Sequence, residues 1–300
     1  MKKLKFVYSP KYEVDLKGHI FPTVKYRLIK ERVEKEGIAK EFIEPDYVGF
    51  DELSLILVEE YLYDLKNARL SWRTWRSELP VEKEVIDFFR LTVNGTYLAS
   101  KESLSEKIVY HIGGGFHHAY PDHAEGFCYI NDIAYAIIKL KKEGLIKKAA
   151  VIDCDLHQGN GTAYYFKDDE DVFTFSIHQE NNYPVPKEKS DIDIGLDDGT
   201  GDEGYLTHLQ KWVPYILDNH RPELVIYEAG ADPYEDDQLG GLKLTKEGLK
   251  KRDYLVLSEC FKRNIPTVIV LGGGYPYKLE DLIEIHFNTA KIAFDILNSE

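Results

Sequence analysis

Residues 149–161 read AAVIDCDLHQGNG, a short apolar run followed by a block of acidic, histidine and glycine residues. The apolar part is nearly continuous rather than alternating, which is typical of a strand covered on both faces in a parallel sheet. The polar block begins where such a strand would end. Because ligands bind outside the carboxyl ends of the strands in open parallel sheets, this stretch predicts an α/β fold with its site at a strand end.

Four other apolar runs have the same character, and they are Ile108–Ile112, Val172–Ile177, Leu224–Ala229 and Thr267–Leu271. The chain continues from them into GGGFHH (113–118), His178, GAD (230–232) and GGGY (272–275), respectively. All five strand ends are therefore expected to converge on one crevice.

Segments with apolar residues three and four apart lie before and between most of these runs and predict helices. They are Pro22–Glu36, Phe50–Tyr63, Val81–Ala99, Ile130–Glu143, Gly204–Asn219, Thr245–Arg263 and Leu279–Leu297. Thr245 is a candidate cap for its helix. Alternating strands and helices predict a right-handed, doubly wound, mostly parallel sheet flanked by helices in three layers. With no repeat or linker, residues 1–300 are expected to form a single domain.

The composition is that of a folded, acidic protein. A hydrophobic fraction of 43% excludes wholesale disorder, and a net charge of −14 argues against a general nucleic-acid binder, which needs a basic face. No apolar run approaches the roughly 18 residues of a membrane helix, and residues 1–10 lack the apolar core that a secretory signal would be expected to have. Three scattered cysteines fit neither a disulfide framework nor a CxxC cage. We expect a cytoplasmic protein with no nucleic-acid or membrane partner, and its oligomeric state is not indicated.

Asp155 and His157 are spaced for metal binding. On an extended segment, residues two apart point the same way, so both side chains can reach one cation. Asp232, flanked by small residues, can supply a third ligand, and two aspartates with one histidine leave a coordination position open for catalysis. The spacing also fits a polar strand end and, for Asp232, a helix cap.

Two further groups point to acid–base chemistry. His117 and His118 follow three glycines, and beside a metal they can provide a base and an electrostatic partner, although such a pair can also be structural. Asp153 shares a face with Asp155, so it can hydrogen-bond one histidine and raise its basicity. Tyr275 follows three more glycines, and its phenol can donate to a developing oxyanion.

Together these motifs resemble the zinc-dependent histone deacetylase family, which has the arginase/deacetylase fold. GGGFHH, the D-x-D-x-H-x-G-N-G block, GAD and GGGY occur in the family's order at family-like spacing, and the resemblance covers nearly the whole chain. It is nearest to the class IV branch through HIFPTVKYR (19–27), GGGFHH, HQGNG and LGGLKLTKEGLKKRD (239–253).

The resemblance implies two ion sites. The catalytic Zn²⁺ would be held by Asp155, His157 and Asp232, where it would lower the pKa of a water molecule and polarise the acyl carbonyl. A second site, expected to hold K⁺, would lie beneath the loop that carries Asp155 and His157. Its counterparts in this chain are Asp153, Asp155, His157, Ser176 and Ile177.

The resemblance also implies catalytic roles. His118 would act as general base and then as general acid, with His117 as its electrostatic companion, and Tyr275 would donate to the carbonyl oxygen. Asp153 would pair with His117. Asn160 stands where class I relatives carry an aspartate that pairs with the second histidine, which is His118 here. An amide would orient His118 but would stabilise its protonated form less than a carboxylate does.

The resemblance further implies an acyl tunnel with aromatic walls. Phe127, which follows Gly126, matches one wall, and Tyr183 is a second candidate, with core packing as the competing explanation for both. Leu239 occupies the position where acetylpolyamine-selective relatives place an acidic gatekeeper. An apolar residue there disfavours polyamine selectivity, since a cationic amine would lose its charge partner.

Three functions are therefore open. The leading one is a zinc-dependent amidohydrolase that removes acetyl or longer acyl groups from the ε-amine of acyl-lysine, in protein, peptide or a related small amide. An arginase-like hydrolase would need a second set of carboxylates and histidines for two manganese ions. A binder of acyl-lysine without turnover is disfavoured, because every proposed catalytic position carries a competent residue type. The acyl length and the natural substrate are not indicated.

Overall fold

The computed structural model describes residues 3–299 as a seven-stranded sheet flanked by helices. The strands are β1 (Lys5–Val7), β2 (Ile108–His111), β3 (Ala149–Asp153), β4 (Val172–Gln179), β5 (Ile192–Leu196), β6 (Leu224–Glu228) and β7 (Thr267–Val270). The helices are α1 (Val24–Lys35), α2 (Phe50–Leu53), α3 (Glu59–Lys66), α4 (Trp72–Trp75), α5 (Lys83–Glu106), α6 (Asp132–Lys142), α7 (Asn160–Phe166), α8 (Asp202–Asn219), α9 (Lys246–Lys262) and α10 (Leu279–Leu297). Among the described residues, none of the helices has the length and apolarity needed to cross a membrane.

The sheet order confirms the predicted fold class. The strands run β1-β2-β7-β6-β3-β4-β5, and every neighbouring pair is parallel. After β3 the chain moves outward to β4 and β5, and then returns to place β6 on the other side of β3. The strand order thus reverses between β3 and β6, which is where open α/β sheets place their ligand crevice.

The five predicted strands are confirmed, and two edge strands were missed. The central strands β2, β3, β6 and β7 are buried along their whole length, as their continuous apolar runs predicted. Strand β1 has only three residues, and β5 alternates half-buried and exposed positions at the sheet edge. Neither gives the long apolar run that marks a strand covered on both faces.

Most of the predicted helices are confirmed within a few residues, but the single helix over Phe50–Tyr63 is wrong. The chain forms α2 and α3 instead, because Val58 between them is extended. Its N–H donates to the carbonyl of Pro121 at 3.0 Å, so a tertiary contact interrupts an apolar pattern that alone favoured one helix. The predicted cap of α9 is confirmed, since the Thr245 hydroxyl accepts from the Gly248 N–H at 2.9 Å.

Candidate active site

A cavity of about 240 Å³ lies at the carboxyl edge of the sheet. The polar and aromatic residues singled out in the sequence line it together: His117, His118, Asp155, His157, Asp232, Tyr275, Phe127, Tyr183 and Leu239. They come from the segments that follow β2, β3, β4, β6 and β7, and Gly115, Gly126, Gly272 and Gly273 line it as well. The predicted convergence is therefore confirmed for the ends of β2, β3, β6 and β7.

The prediction is wrong for His178. Strand β4 continues to Gln179, so His178 lies inside the ladder, opposite Gly195 of β5. Its side chain is buried away from the cavity, with Nδ1 2.9 Å from the Ser176 hydroxyl. The apolar run ended before the strand did, because polar residues also occupy the buried end of β4.

Asp155, His157 and Asp232 form a cluster suited to a cation. Their ligand atoms all lie within 4.8 Å of one another. His157 Nδ1 is 3.2 Å from Asp155 Oδ1 and 3.2 Å from Asp232 Oδ2. Within residues 3–299, the buried Asp232 Oδ2 has no hydrogen-bond partner. Because a buried carboxylate oxygen that accepts no hydrogen bond is costly, this donor set fits a bound divalent metal such as zinc.

Backbone groups fix the two carboxylates. The Leu156 N–H donates to Asp232 Oδ1 at 2.8 Å, and the Gly273 N–H donates to Asp155 Oδ2 at 2.8 Å. A Cβ at position 273 would lie 2.2 Å from Asp232 Oδ2, so this close approach requires glycine. The loops after β3, β6 and β7 are thereby joined around the cluster.

The pKa values in this cluster reflect two buried carboxylates facing one imidazole. Burial and the Asp155 charge raise the pKa of Asp232 to about 6. Burial alone would lower the pKa of His157, but the neighbouring carboxylates of Asp155 and Asp232 raise it to about 10. Without a metal, the imidazole is therefore the positive group between the carboxylates, and a metal ion would replace its proton.

The histidine pair is held at both ends by oxygen acceptors. His117 Nδ1 donates to Asp153 Oδ2 at 2.7 Å, and His118 Nδ1 donates to Asn160 Oδ1 at 2.6 Å. The two Nε2 atoms are 3.1 Å apart. With both Nδ1 atoms acting as donors, one Nε2 carries a proton and the other accepts it. The pair therefore holds one positive charge.

The pKa directions place that charge on His117. Burial lowers the pKa of His117, but Asp153 and Asp155 raise it to about 10. Burial and the charges of His117 and His157 hold the pKa of His118 well below its usual value. His118 is thus a neutral acceptor at the cavity, and His117 is a fixed cation beside it.

Tyr275 lines the same cavity. Burial and the charges of Asp232 and Asp155 raise the pKa of this phenol well above its usual value, so it stays protonated at neutral pH. The hydroxyl has no hydrogen-bond partner in the described part of the chain. Its ring packs edge-on against Phe127, with centroids 5.8 Å apart. The hydroxyl is therefore available as a hydrogen-bond donor, and packing against Phe127 holds the ring that carries it.

A family model described as the histone deacetylase domain matches residues 19–290. The chain belongs to the histone deacetylase family. Histone deacetylase 2 of Arabidopsis thaliana is 31% identical over 295 residues, which cover 92% of this chain and 75% of the relative. An uncharacterized protein of Picosynechococcus sp. is 35% identical over 294 residues, which cover 97% of this chain and 98% of the relative.

The crystal structure of the HDA15 HD domain shares this deacetylase-family fold. Its TM-score is 0.83 at 22% identity, and the match covers 98% of this chain and 88% of that one. Family membership supports hydrolysis, and deacetylation in the broad sense, as the chemistry of this site. Assignment to the class IV branch stays a prediction.

Aromatic side chains form the cavity walls of this deacetylase-family chain. The Tyr183 ring stands edge-on to His118, with centroids 5.1 Å apart, and its hydroxyl donates to Glu125 Oε1 at 2.8 Å. A Cβ at Gly126 would lie 2.8 Å from His118 Cδ2 and 2.9 Å from the Tyr183 ring, so glycine lets both rings pack here. Roles in substrate binding for Gly126, Phe127, Tyr183 and Leu239 stay predictions.

The residues proposed for the monovalent cation lie at the ends of two adjacent strands. The register of β3 and β4 pairs Asp153 with Ser176, and Ile177 is the next residue of β4. The Asp155 N–H donates to Asp153 Oδ1 at 3.1 Å, which connects this region to the cluster of Asp155, His157 and Asp232. A potassium ion at this place stays a prediction.

Three polar residues at the site had no role in the sequence-based prediction. Lys25 is buried, and its Nζ donates to the Gly272 carbonyl at 2.6 Å. Burial lowers its pKa to about 8, against the opposing effect of Glu228 and Asp232. Glu125 accepts from Tyr183, and Asp237 accepts from the Tyr275 N–H at 2.6 Å. All three act through partners far away in the sequence, so no local spacing could identify them.

Proposed function

We propose that this chain is a zinc-dependent hydrolase that removes acetyl or longer acyl groups from the ε-amine of lysine in a protein or peptide. One observation carries the proposal: a single cavity is lined by the Asp155–His157–Asp232 cluster, a histidine pair with one positive charge and one neutral ring, and the unbonded Tyr275 hydroxyl. Membership in the histone deacetylase family supports it.

Asp155, His157 and Asp232 would hold the zinc ion. When bound, zinc supplies a Lewis acid that lowers the pKa of water and polarises a carbonyl group. The remaining catalytic work falls to the side chains of the chain.

The neutral His118 takes a proton from the attacking water at Nε2, which gives up its hydrogen bond with His117 in this step, while Asn160 holds the ring through Nδ1. The positive charge on His117 stabilises the negative charge that develops in the transition state. Tyr275 donates a hydrogen bond to the acyl oxygen as that oxygen becomes an oxyanion, and it keeps its own proton. His118 then returns its proton to the departing lysine amine, and the products are a carboxylic acid and a free lysine side chain.

The rival functions find less support. In the part of the chain that the structure describes, Asp155, His157 and Asp232 form one three-ligand group of the kind that holds a single metal ion, whereas an arginase-like enzyme would need bridging ligands for two. Leu239 lines the cavity, and an apolar wall there offers no charge partner to a polyamine.

An activity screen tests the proposal. The zinc-loaded protein is assayed against lysine peptides acylated from acetyl to myristoyl, with acetylated polyamines alongside. We expect release of acyl groups from the lysine peptides, faster than from the polyamines. Full zinc occupancy without hydrolysis of any peptide would contradict the proposal, and two manganese ions per chain would favour the arginase-like alternative.

The Asn160→Asp variant should move the acidic limb of the pH profile upward. A carboxylate 2.6 Å from His118 Nδ1 stabilises the imidazolium, which raises the pKa of His118. The base is then lost at a higher pH, and we expect a shift of about 1 unit or more in kcat/KM measured against pH. The control is Asn181→Asp, which adds the same charge at an exposed position. An unmoved limb would refute the role of Asn160.

A further inference from the structure

We infer that Asp237 is a positioning residue for Tyr275, acting through the backbone of the loop that carries the phenol. Asp237 touches no reacting atom, but its buried carboxylate accepts from the Tyr275 N–H at 2.6 Å through Oδ2 and from the Leu239 N–H at 2.8 Å through Oδ1. The kinetic part of this inference rests on the proposed function, whereas the structural part does not.

The tyrosine needs such an anchor because of its neighbours in the sequence. It follows Gly272, Gly273 and Gly274, whose backbone is intrinsically free, and Gly274 has a φ of +152°. Pro276 comes next and has no N–H to donate. The loop therefore supplies few side chains of its own to fix the direction of the phenol.

Asp237 and Gln238 together hold both polar backbone groups of Tyr275. While Asp237 accepts from the N–H, the Tyr275 carbonyl accepts from the Gln238 N–H at 3.1 Å and from Gln238 Nε2 at 2.9 Å. The Tyr277 N–H donates to the Asp236 carbonyl at 3.3 Å. The segment after β6 is thus fastened alongside the segment after β7.

This connection joins the proposed metal ligand to the proposed oxyanion donor. Asp232 and Asp237 belong to the same short segment after β6, and the Asp237 N–H donates to the Tyr234 carbonyl at 3.0 Å. The buried carboxyl group of Asp237 accepts one backbone N–H from each of the two segments, which fixes them to each other. By joining the two segments, Asp237 sets the distance between the cluster of Asp155, His157 and Asp232 and the Tyr275 hydroxyl.

The Asp237→Asn variant removes one of the two bonds with little change of shape. An asparagine has one acceptor oxygen, and its NH₂ group cannot accept from a second N–H. Asp236→Asn is the matched control, since it makes the same chemical change at the adjacent, exposed position and keeps the backbone carbonyl that Tyr277 uses.

We expect Asp237→Asn to lower kcat by about 10- to 100-fold, with a change in KM of less than about 3-fold, because a misplaced catalytic group costs rate more than ground-state binding. Zinc content should stay at that of the unmodified chain. The Tyr275 amide should exchange with deuterium at least about 10-fold faster, and Asp236→Asn should change neither quantity.

A double-mutant cycle with Tyr275→Phe separates positioning from general damage. If Asp237 acts through the phenol, Asp237→Asn should cost less than about 3-fold in kcat when Tyr275 is already phenylalanine. A full additional loss in that background, or a parallel loss of zinc, would overturn the inference. An unmodified chain that hydrolyses no acyl-lysine would refute the proposed function, and the exchange rate of the Tyr275 amide would still decide whether Asp237 holds the loop. Unchanged exchange in Asp237→Asn would overturn the inference.

Discussion

Tyr275→Phe should reduce kcat by about 10²- to 10³-fold, the usual cost of removing one donor to a developing oxyanion. The variant loses a hydroxyl and nothing else. Its ring keeps the edge-on contact with Phe127, and its backbone keeps the bonds to Asp237 and Gln238. Zinc content should therefore be unchanged, because the three proposed ligands lie on other residues.

The phenol is a donor at every pH at which the enzyme is expected to work. Burial and the nearby carboxylates raise its pKa well above the usual value, so it does not ionise near neutrality. The variant should accordingly lose a constant factor in kcat across neutral pH, rather than showing a shifted profile.

Tyr277→Phe provides the control, because Tyr277 is 76% exposed and only two residues away. It makes the same chemical change outside the cavity and should retain the activity of the unmodified chain. The measurement is kcat with an acyl-lysine peptide at matched zinc content. A fully active Tyr275→Phe protein would contradict the oxyanion role.

The strands in the interior of the sheet could be predicted from the sequence, because a strand that is buried on both faces consists almost entirely of apolar residues. Strands such as β3 and β6 are continuous apolar runs, and the parallel arrangement then places the residues after them at one edge. Asp155, His157 and Asp232 could be grouped for this reason. At the sheet edge the same rule failed, because β5 is half exposed and its pattern alternates.

Contacts between distant segments could not be predicted in this way. The break at Val58 depends on the carbonyl of Pro121, and the place of Lys25 depends on the carbonyl of Gly272. Asp237 belongs to a short acidic stretch, and nothing in the sequence distinguishes it from Asp236. In the structure Asp237 is buried and Asp236 is exposed. Lys25 and Asp237 had no role in the sequence-based prediction because their hydrogen-bond partners are distant in the sequence.

Asp232→Asn should lower zinc affinity by at least about 10²-fold and reduce activity by about 10²- to 10³-fold at limiting zinc. The amide oxygen can still accept from the Leu156 N–H, so the fold around position 232 is maintained. What is lost is the charged Oδ2, which has no hydrogen-bond partner among residues 3–299 and lies 3.2 Å from His157 Nδ1. Zinc per chain after dialysis, with Asp236→Asn as the control, checks the result.

Without metal, the two proteins should differ little in stability at pH 7.5. Burial and the Asp155 charge raise the pKa of Asp232 from 3.8 to about 6, which destabilises the folded state once the pH rises above about 6. The same carboxylate helps to raise the pKa of His157 from 6.5 to about 10, which stabilises the folded state until the pH rises through about 10. The two effects oppose each other at pH 7.5, so metal-free Asp232→Asn should melt close to the melting temperature of the metal-free unmodified chain.

Added zinc should separate the two proteins, because a ligand that binds only the folded state stabilises it by an amount that grows with the logarithm of its affinity. The unmodified chain should gain stability on zinc addition, and Asp232→Asn should gain little. If Asp232 served only packing, its replacement would destabilise the metal-free fold and leave the gain on zinc addition unchanged. A variant that keeps full zinc content and activity, or that gains as much stability from zinc as the unmodified chain does, would therefore exclude Asp232 as a zinc ligand.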